Sequence, residues 1–386
     1  MEADALYAFL VAFAVTAGLT PPIARFARRI GAVDPVQERG LAREARPLLG
    51  GLAIFAGAVL AGVLFLPATA EMRGILGAAA LITLVGAIDD ARDIPPWMKL
   101  LGQAAAGLIC VLSGVLVDSF TAPLIGRVDL GELGGPLTLI GLVAVMNVVN
   151  FSDGIDGLAA GVCAIAGVAF AIIAFDLGKD AAGVLAAITA GAALGFLIHN
   201  FHPASVFMGD CGSNLLGLLL GAAIVEGSLK TNALIALIVP LVVLAVPFLD
   251  TGFVVAKRIK YRRPVYQGDS NHFHHRFHRI GFSQRRTVLY LYAWTTTMAA
   301  LAVALRFVPY SEQGGRLHAG WAVVMGGLLL IALAASVYLV YVLEILKLRR
   351  LRAWQMRNQD PDTSEYQIDD AVVEDLETGE FGVVRR

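Results

Sequence analysis

The chain has 386 residues, of which 57% are hydrophobic and only 16% charged, and its formal net charge is −1 at pH 7. With a mean hydropathy of +0.71 it is too apolar for a soluble globular protein and is expected to be a polytopic membrane protein. The apolar runs are continuous rather than alternating, which argues against a closed β-barrel and predicts an all-α helical bundle.

Hydropathy predicts about eleven spans in chain order, at 5–24, 50–66, 74–88, 98–117, 137–151, 157–175, 181–198, 213–226, 231–256, 287–307 and 319–346. The first is read as a retained helix rather than a signal peptide, because acidic residues precede it and no small-residue cleavage site follows. An odd count puts the termini on opposite sides. Of the 30 Lys and Arg residues, 24 fall in 25–49, at Arg92 and Lys99, in 257–286 and in 347–386. The positive-inside rule makes that set cytoplasmic and the amino terminus external. The expected organisation is one transmembrane domain over 1–350 with cytoplasmic loops at 25–49, 89–98, 150–157, 199–213 and 257–286. An acidic cytoplasmic tail over 351–386, without periodicity, is expected to be mobile. A Gly217-x-x-x-Gly221 step suits close helix approach in lipid. The cysteines Cys110, Cys163 and Cys211 lack the spacing of a zinc site and read as buried thiols.

The polar chemistry gathers at the cytoplasmic ends of these spans. Asp89-Asp90 closes the third, with Lys99 opening the next. Adjacent carboxylates need a cation or a shared proton at low dielectric, or else they form a solvated helix cap. Between Asn147 and Leu158, two asparagines and two aspartates, with Asn150, Asp153 and Asp156 among them, crowd one boundary. If Asp153 and Asp156 begin the next helix, their spacing puts them on one face; an Asn/Asp/Gly turn is the rival reading. The stretch from His199 and Asn200 to Ser213 places Asp210 between Gly209 and the next helix, where it could bind Mg²⁺ or act as an N-cap. In the longest loop, His272, His274, His275 and Arg276 suit a polyanion better than zinc, as phosphate donors and acid-base groups. The preceding run Lys257 to Arg263 reads as a topology or anionic-lipid signal.

Taken in this order over roughly residues 5–305, the motifs resemble the polyprenyl-phosphate N-acetylhexosamine-1-phosphate transferase family, glycosyltransferase family 4. The His-x-His-His-Arg pattern ending at Arg276 resembles its undecaprenyl-phosphate GlcNAc-1-phosphate branch rather than the phospho-MurNAc-pentapeptide branch, which has three consecutive histidines. The resemblance implies a catalytic centre at Asp89 and Asp90, one of them a candidate base for the lipid phosphate. It implies a magnesium aspartate at Asp210, with Asp90 a second candidate ligand, and a nucleotide-sugar segment at Asn150, Asp153 and Asp156. Lys99, Asn200, His272 and Arg276 become candidate substrate contacts, and His274 and His275 candidate catalytic groups. One departure stands out: the family's arginine immediately before Leu/Met-Gly-Gly is missing from Arg46-Pro47-Leu48-Leu49, which leaves Arg43 and Arg46 as the arginines nearby. His202 also stands where proline or another residue is common.

The resemblance implies transfer of GlcNAc-1-phosphate from a UDP-N-acetylhexosamine to undecaprenyl phosphate with release of UMP. Mg²⁺ is the implied cofactor, with Mn²⁺ able to replace it. The expected setting is the bacterial inner membrane with a cytoplasmic active site; a second copy of the chain is a candidate partner and nucleic acid is not expected. Pentapeptide transfer is the alternative within the family. A transporter is the alternative outside it, weakened because the acids sit at helix ends and no inverted repeat is visible.

Overall fold

The computed structural model describes residues 2–34, 46–122, 126–228, 283–307 and 319–359, with 244–245, 248–249, 252, 364 and 367. Through them run α1 (Glu2–Ile30), α2 (Gly51–Phe65), α3 (Ala70–Arg92), α4 (Pro96–Leu112), α5 (Gly134–Ser152), α6 (Leu158–Asp176), α7 (Asp180–Asn200), α8 (Gly209–Ser228), α9 (Gln284–Phe307) and α10 (Ala319–Gln359). Six described helices are long and apolar enough to cross a membrane, and Gly51–Phe65, Pro96–Leu112 and Val323–Tyr338 are shorter apolar helices. The span expected at 231–256 lies almost wholly outside the described residues.

The helical expectation holds, with two small additions. An antiparallel pair β1 (Val33–Asp34) and β2 (Arg46–Pro47) follows α1, and a ribbon of β3 (Ser119–Ala122) and β4 (Gly126–Asp129) joins α4 to α5. Several helices outrun their apolar cores. α1 continues through Arg25 to Arg29, good helix formers whose charge complements the carboxyl end of the helix dipole. α3 starts at Ala70, capped by the Thr69 hydroxyl, which accepts from Met72 N at 3.3 Å. α10 runs on to Gln359 through Lys347, Arg349, Arg350 and Arg352, so the boundary expected at 350 falls inside a helix. Residues beyond it lie mostly outside the described set.

α6, α7 and α8 form the enclosed centre of the bundle, with α1 and α2 packed on α7, α3 and α5 on α8, α4 between α3 and α5, and α9 against α6. The expected Gly217-x-x-x-Gly221 step is where α8 meets α5, at the backbone of Met146 and the side chain of Leu142. α1 carries Pro21 and Pro22. Pro21 has no N–H to bond Ala17 O one turn back. The orphaned carbonyl is met from α7 by His199 Nε2 at 2.9 Å. A carbonyl only accepts, so this ring nitrogen carries the proton. A helix-breaking residue inside a long apolar helix is thereby satisfied by a neighbouring helix.

Candidate active site

The site begins with two strands of irregular chain lying side by side. Leu48 N donates to Ala32 O at 3.0 Å, Phe207 N to Pro47 O at 2.9 Å, Gly50 N to Phe207 O at 3.0 Å and Gly51 N to Met208 O at 2.9 Å. These bonds, with the pairing of Asp34 and Arg46 across β1 and β2, fix residues 46–51 against the loop between α7 and α8. Arg46 is thereby brought to Asp156: its Nη1 donates to both carboxylate oxygens at 2.9 Å, and its guanidinium lies 5.3 Å from the centre of the Phe207 ring. Asp156, 5% exposed, also accepts from Ala204 N at 3.0 Å and pairs with His202 Nδ1 at 2.7 Å.

Asp153 and Asp156 do not begin a helix. Asp153 caps the end of α5, and α6 starts only at Leu158, because the intervening Gly154 and the left-handed Gly157 (φ 83°) break the helical path. Asn200, 2% exposed, ties this connection down by accepting from Gly157 N and donating to Val206 O, both at 2.9 Å. From α9, Tyr292 OH donates to Gly157 O at 2.5 Å and Arg285 Nε to His202 O at 3.0 Å. Asn200 and Asp156 therefore engage neighbouring protein groups. Asp153 is partly exposed, and its carboxyl is held well above the usual range, first by loss of hydration and then by the negative charges of Asp210, Asp90 and Asp156.

Asp89 and Asp90 occupy the last turn of α3, not a loop, and α8 begins beside them. Asp90 accepts from the first backbone N–H groups of α8, Asp210 N to Oδ1 at 2.7 Å and Cys211 N to Oδ2 at 3.2 Å. The N-cap of α8 is thus supplied from α3 rather than by Asp210. The approach demands glycine. A Cβ on Gly86 would lie 2.4 Å from Cys211 Cα, and one on Gly209, itself at φ 70°, would lie 2.3 Å from Asp90 Oδ2.

Freed from capping, the Asp210 carboxylate receives Asn150 Nδ2 on Oδ1 at 2.9 Å and Lys99 Nζ on Oδ2 at 3.0 Å. Lys99 also reaches Asp89 Oδ2 at 2.5 Å, while Ile94 N donates to Asp89 Oδ1 at 2.9 Å. Asn150 Nδ2 further donates to Ser213 Oγ at 2.9 Å. Asp89, Asp90 and Asp210 each offer an oxygen within 4.8 Å of the others. Three hard oxygen donors converging beside the Lys99 ammonium form a donor set that fits Mg²⁺ or Mn²⁺, since each oxygen keeps a lone pair beyond its present bonds.

The structure thus joins Asp89, Asp90, Lys99, Asn150 and Asp210 in one centre, and holds Asp156 in the adjoining α5–α6 connection and Asn200 at the end of α7. His272, His274, His275 and Arg276 lie outside the described residues, as does Arg43. Sequence reasoning did not single out Gln103, Ser213 or Asn214, and gave His202 no role. Their signal was periodicity, because Gln103 follows Lys99, and Asn214 follows Asp210, by one helical turn.

A family model described as "Glycosyl transferase family 4" matches residues 72–228, which carry all of that centre. The chain is similar to the "Probable undecaprenyl-phosphate N-acetylglucosaminyl 1-phosphate transferase" of Bacillus subtilis, with 36% identity over 302 residues, 78% of this chain and 84% of the relative. It is similar to the decaprenyl-phosphate N-acetylglucosaminephosphotransferase of Mycobacterium leprae, with 34% identity over 86% of this chain and 89% of the relative. The phospho-N-acetylmuramoyl-pentapeptide-transferase of Moorella thermoacetica is 33% identical over 78% of this chain and 98% of the relative.

Proposed function

The chain belongs to glycosyl transferase family 4, and from that membership we propose that it transfers GlcNAc-1-phosphate from UDP-GlcNAc to a polyprenyl phosphate, undecaprenyl phosphate foremost. UMP is released, and the lipid-linked product is the first intermediate of a cell-envelope polysaccharide. The observation that carries the reading is the convergence of Asp89, Asp90 and Asp210 with Lys99 at one end of the bundle. An acceptor whose phosphate lies at the headgroup level and whose chain lies in lipid meets catalytic groups at such a helix end.

A phosphate oxygen of the acceptor attacks the β-phosphorus of the donor in line. The bond from that phosphorus to the bridging oxygen breaks, and its electron pair leaves with UMP. Lys99, between Asp89 and Asp210, is suited to orient and neutralise a phosphate oxygen drawn into the centre. Asp89, Asp90 and Asp210 would hold Mg²⁺, which when bound supplies charge neutralisation at the pyrophosphate. Asp153, its carboxyl raised by loss of hydration and then by the surrounding negative charge, is suited to take and return a proton. Asn150 orients Asp210, and Arg46 with His202 holds Asp156 and the loop it belongs to. His274 and His275 are assigned to acid-base or anion contacts with the donor, with His272 and Arg276 on its pyrophosphate or sugar. Direct displacement and a route through an aspartyl-phosphate both accord with this assignment.

Hydropathy supports about eleven spans, and the placement of 24 of 30 basic residues on one set of loops supports a cytoplasmic site in the inner membrane and an external amino terminus. The test is purified protein with undecaprenyl phosphate and a donor panel of UDP-GlcNAc, UDP-GalNAc and UDP-MurNAc-pentapeptide, reading UMP with Mg²⁺, with Mn²⁺ and with EDTA. UMP release from UDP-GlcNAc that needs both lipid and divalent cation is the expected result. Preference for the pentapeptide donor would move the chain to the other branch, and no UMP from any donor would overturn the reading.

A further inference from the structure

The three helices that converge on Asp210 meet again one turn deeper in the bundle. At the upper level α4 supplies Lys99, α5 supplies Asn150 and α8 supplies Asp210. At the lower level the same helices supply Gln103, Asn147 and Asn214, displaced by four, three and four residues, which is one helical turn in each case. Gln103 Nε2 donates to Asn214 Oδ1 at 2.7 Å, and Asn147 Nδ2 donates to Gln103 Oε1 at 2.8 Å. Both ends of this chain are tied to backbone carbonyls, Asn214 Nδ2 to Asp210 O at 2.9 Å and Asn147 Nδ2 to Val143 O at 2.8 Å.

The polarity of the chain is fixed throughout. A carbonyl only accepts, so the amide nitrogens of Asn214 and Asn147 must face Asp210 O and Val143 O. Asn214 then turns its oxygen toward Gln103, whose nitrogen must answer it and whose oxygen must accept from Asn147. Gln103 and Asn214 are each 4% exposed. An apolar side chain would fill that space, yet would leave rotation and sliding of α4 against α8 unspecified. A buried and fully satisfied amide admits one arrangement.

We propose that Gln103 is a positioning residue for the transfer reaction. By fastening α4 and α5 to α8 beneath the centre, it sets the approach of Lys99 and Asn150 to the Asp210 carboxylate. The proposal rests on the reading that places Asp210 and Lys99 in the catalytic centre. Gln103 itself is two hydrogen bonds removed from Asp210, through Asn214.

The experiment compares wild type, Gln103→Met, Asn147→Leu, the double variant and Asp210→Asn as purified detergent-solubilised protein. UMP release is normalised to folded, monodisperse enzyme, and kcat and KM are determined for both substrates. Gln103→Met is expected to lower kcat by about tenfold to a hundredfold, the scale of a displacement near 1 Å at a reacting centre. Both KM values should stay within about threefold of wild type, because the loss falls on the transition state. The double variant is expected to be no slower than the slower single variant, since either change opens the same chain. Unchanged kcat per folded enzyme would overturn the proposal, and so would losses that multiply. If Gln103→Met gives no folded protein, Asn147→Leu alone carries the expectation of a lowered kcat with both KM values kept, because it removes one of the two bonds that Gln103 makes, the one that ties α5 to α4. Full activity of Asp210→Asn would overturn the underlying reading of the centre, whereas loss there with normal Gln103→Met would overturn the positioning role alone.

Discussion

Asp90 on α3 accepts from the backbone N–H groups of Asp210 and Cys211, at 2.7 and 3.2 Å, and so caps α8 from another helix. One carboxylate therefore has two duties, closing the acidic centre and holding the helix that carries Asp210. Asparagine at 90 keeps one acceptor and turns an NH₂ toward the second N–H. Asp90→Asn is expected to abolish UMP release and to lower stability by about 1 kcal/mol, the worth of a helix cap. Asp210→Asn makes no such cap and is expected to abolish UMP release without loss of thermal stability. Differential scanning fluorimetry beside the UMP assay separates the two, and equal Tm changes would contradict the capping role.

Asp153 gives a pH dependence of defined sign. Its carboxyl is raised by loss of hydration and by Asp210, Asp90 and Asp156. Below the ordinary carboxylate value of about 4, folded and unfolded chains both carry the proton and no penalty exists. As pH rises from there through the raised value, the folded chain has to ionise a disfavoured group, and stability falls. In EDTA, Asp153→Asn is therefore expected to melt above wild type at pH 7.5, with the gain shrinking toward zero near pH 4. UMP release by this variant is expected to be lost. A melting gain independent of pH would show that charge at Asp153 is not its source.

Arg46 and Asp156 form a largely buried pair with side chains 15% and 6% exposed. Arg46→Met removes one partner and leaves the carboxylate with His202 and Ala204 N, which is expected to lower stability by about 3 kcal/mol. Adding Asp156→Leu should restore part of that loss, since no uncompensated charge then remains. Melting of the two single variants and the double variant measures the coupling. A double variant less stable than either single variant would mean that the pair does not act as a unit.

The membrane class and the centre were legible in the sequence for different reasons. Apolar runs fix helices wherever the surroundings are lipid, and acids at their ends have few roles to choose among. Asp89, Asp90, Asp210, Lys99 and Asn150 could be listed because their order along the chain and their place at the helix ends resemble the motifs of one family. What could not be read was who contacts whom. Capping of its own helix was one of two roles open to Asp210, but Gly86 and Gly209 let α3 come close enough for Asp90 to take that place. Arg46 takes up Asp156 because strand pairing and the bonds to Phe207 and Met208 carry it there, a long-range event with no local signature. Gln103 was hidden because a single amide in an apolar helix resembles a tolerated core residue. The ribbon at 119–129 was missed because four-residue strands carry too little pattern to compete with the hydropathy of the helices around them.

The histidine motif yields a kinetic prediction. Alanine at His274 or His275 is expected to raise the donor KM or lower kcat by about tenfold or more, the usual size of acid-base and anion contacts. Acceptor KM should be unaffected if these side chains face the donor. An effect confined to membrane insertion would assign them a structural role.

Lys99 gives a test of the cation site that does not depend on turnover. Its ammonium stands 2.5 Å from Asp89 Oδ2 and 3.0 Å from Asp210 Oδ2, and so compensates two of the three clustered carboxylates. Without it, the folded chain in EDTA carries the cluster's repulsion undiminished, and Lys99→Met is expected to melt below wild type. A divalent cation that binds only the folded chain stabilises it by mass action, by about 2.7 kcal/mol at a hundredfold excess over Kd. Mg²⁺ should therefore raise the Tm of wild type, raise that of Lys99→Met by more, and leave Asp210→Asn little changed. Calcium, which tolerates looser oxygen geometry, serves as the comparison ion. A Mg²⁺ shift that survives in Asp89→Asn and Asp210→Asn alike would place the cation elsewhere.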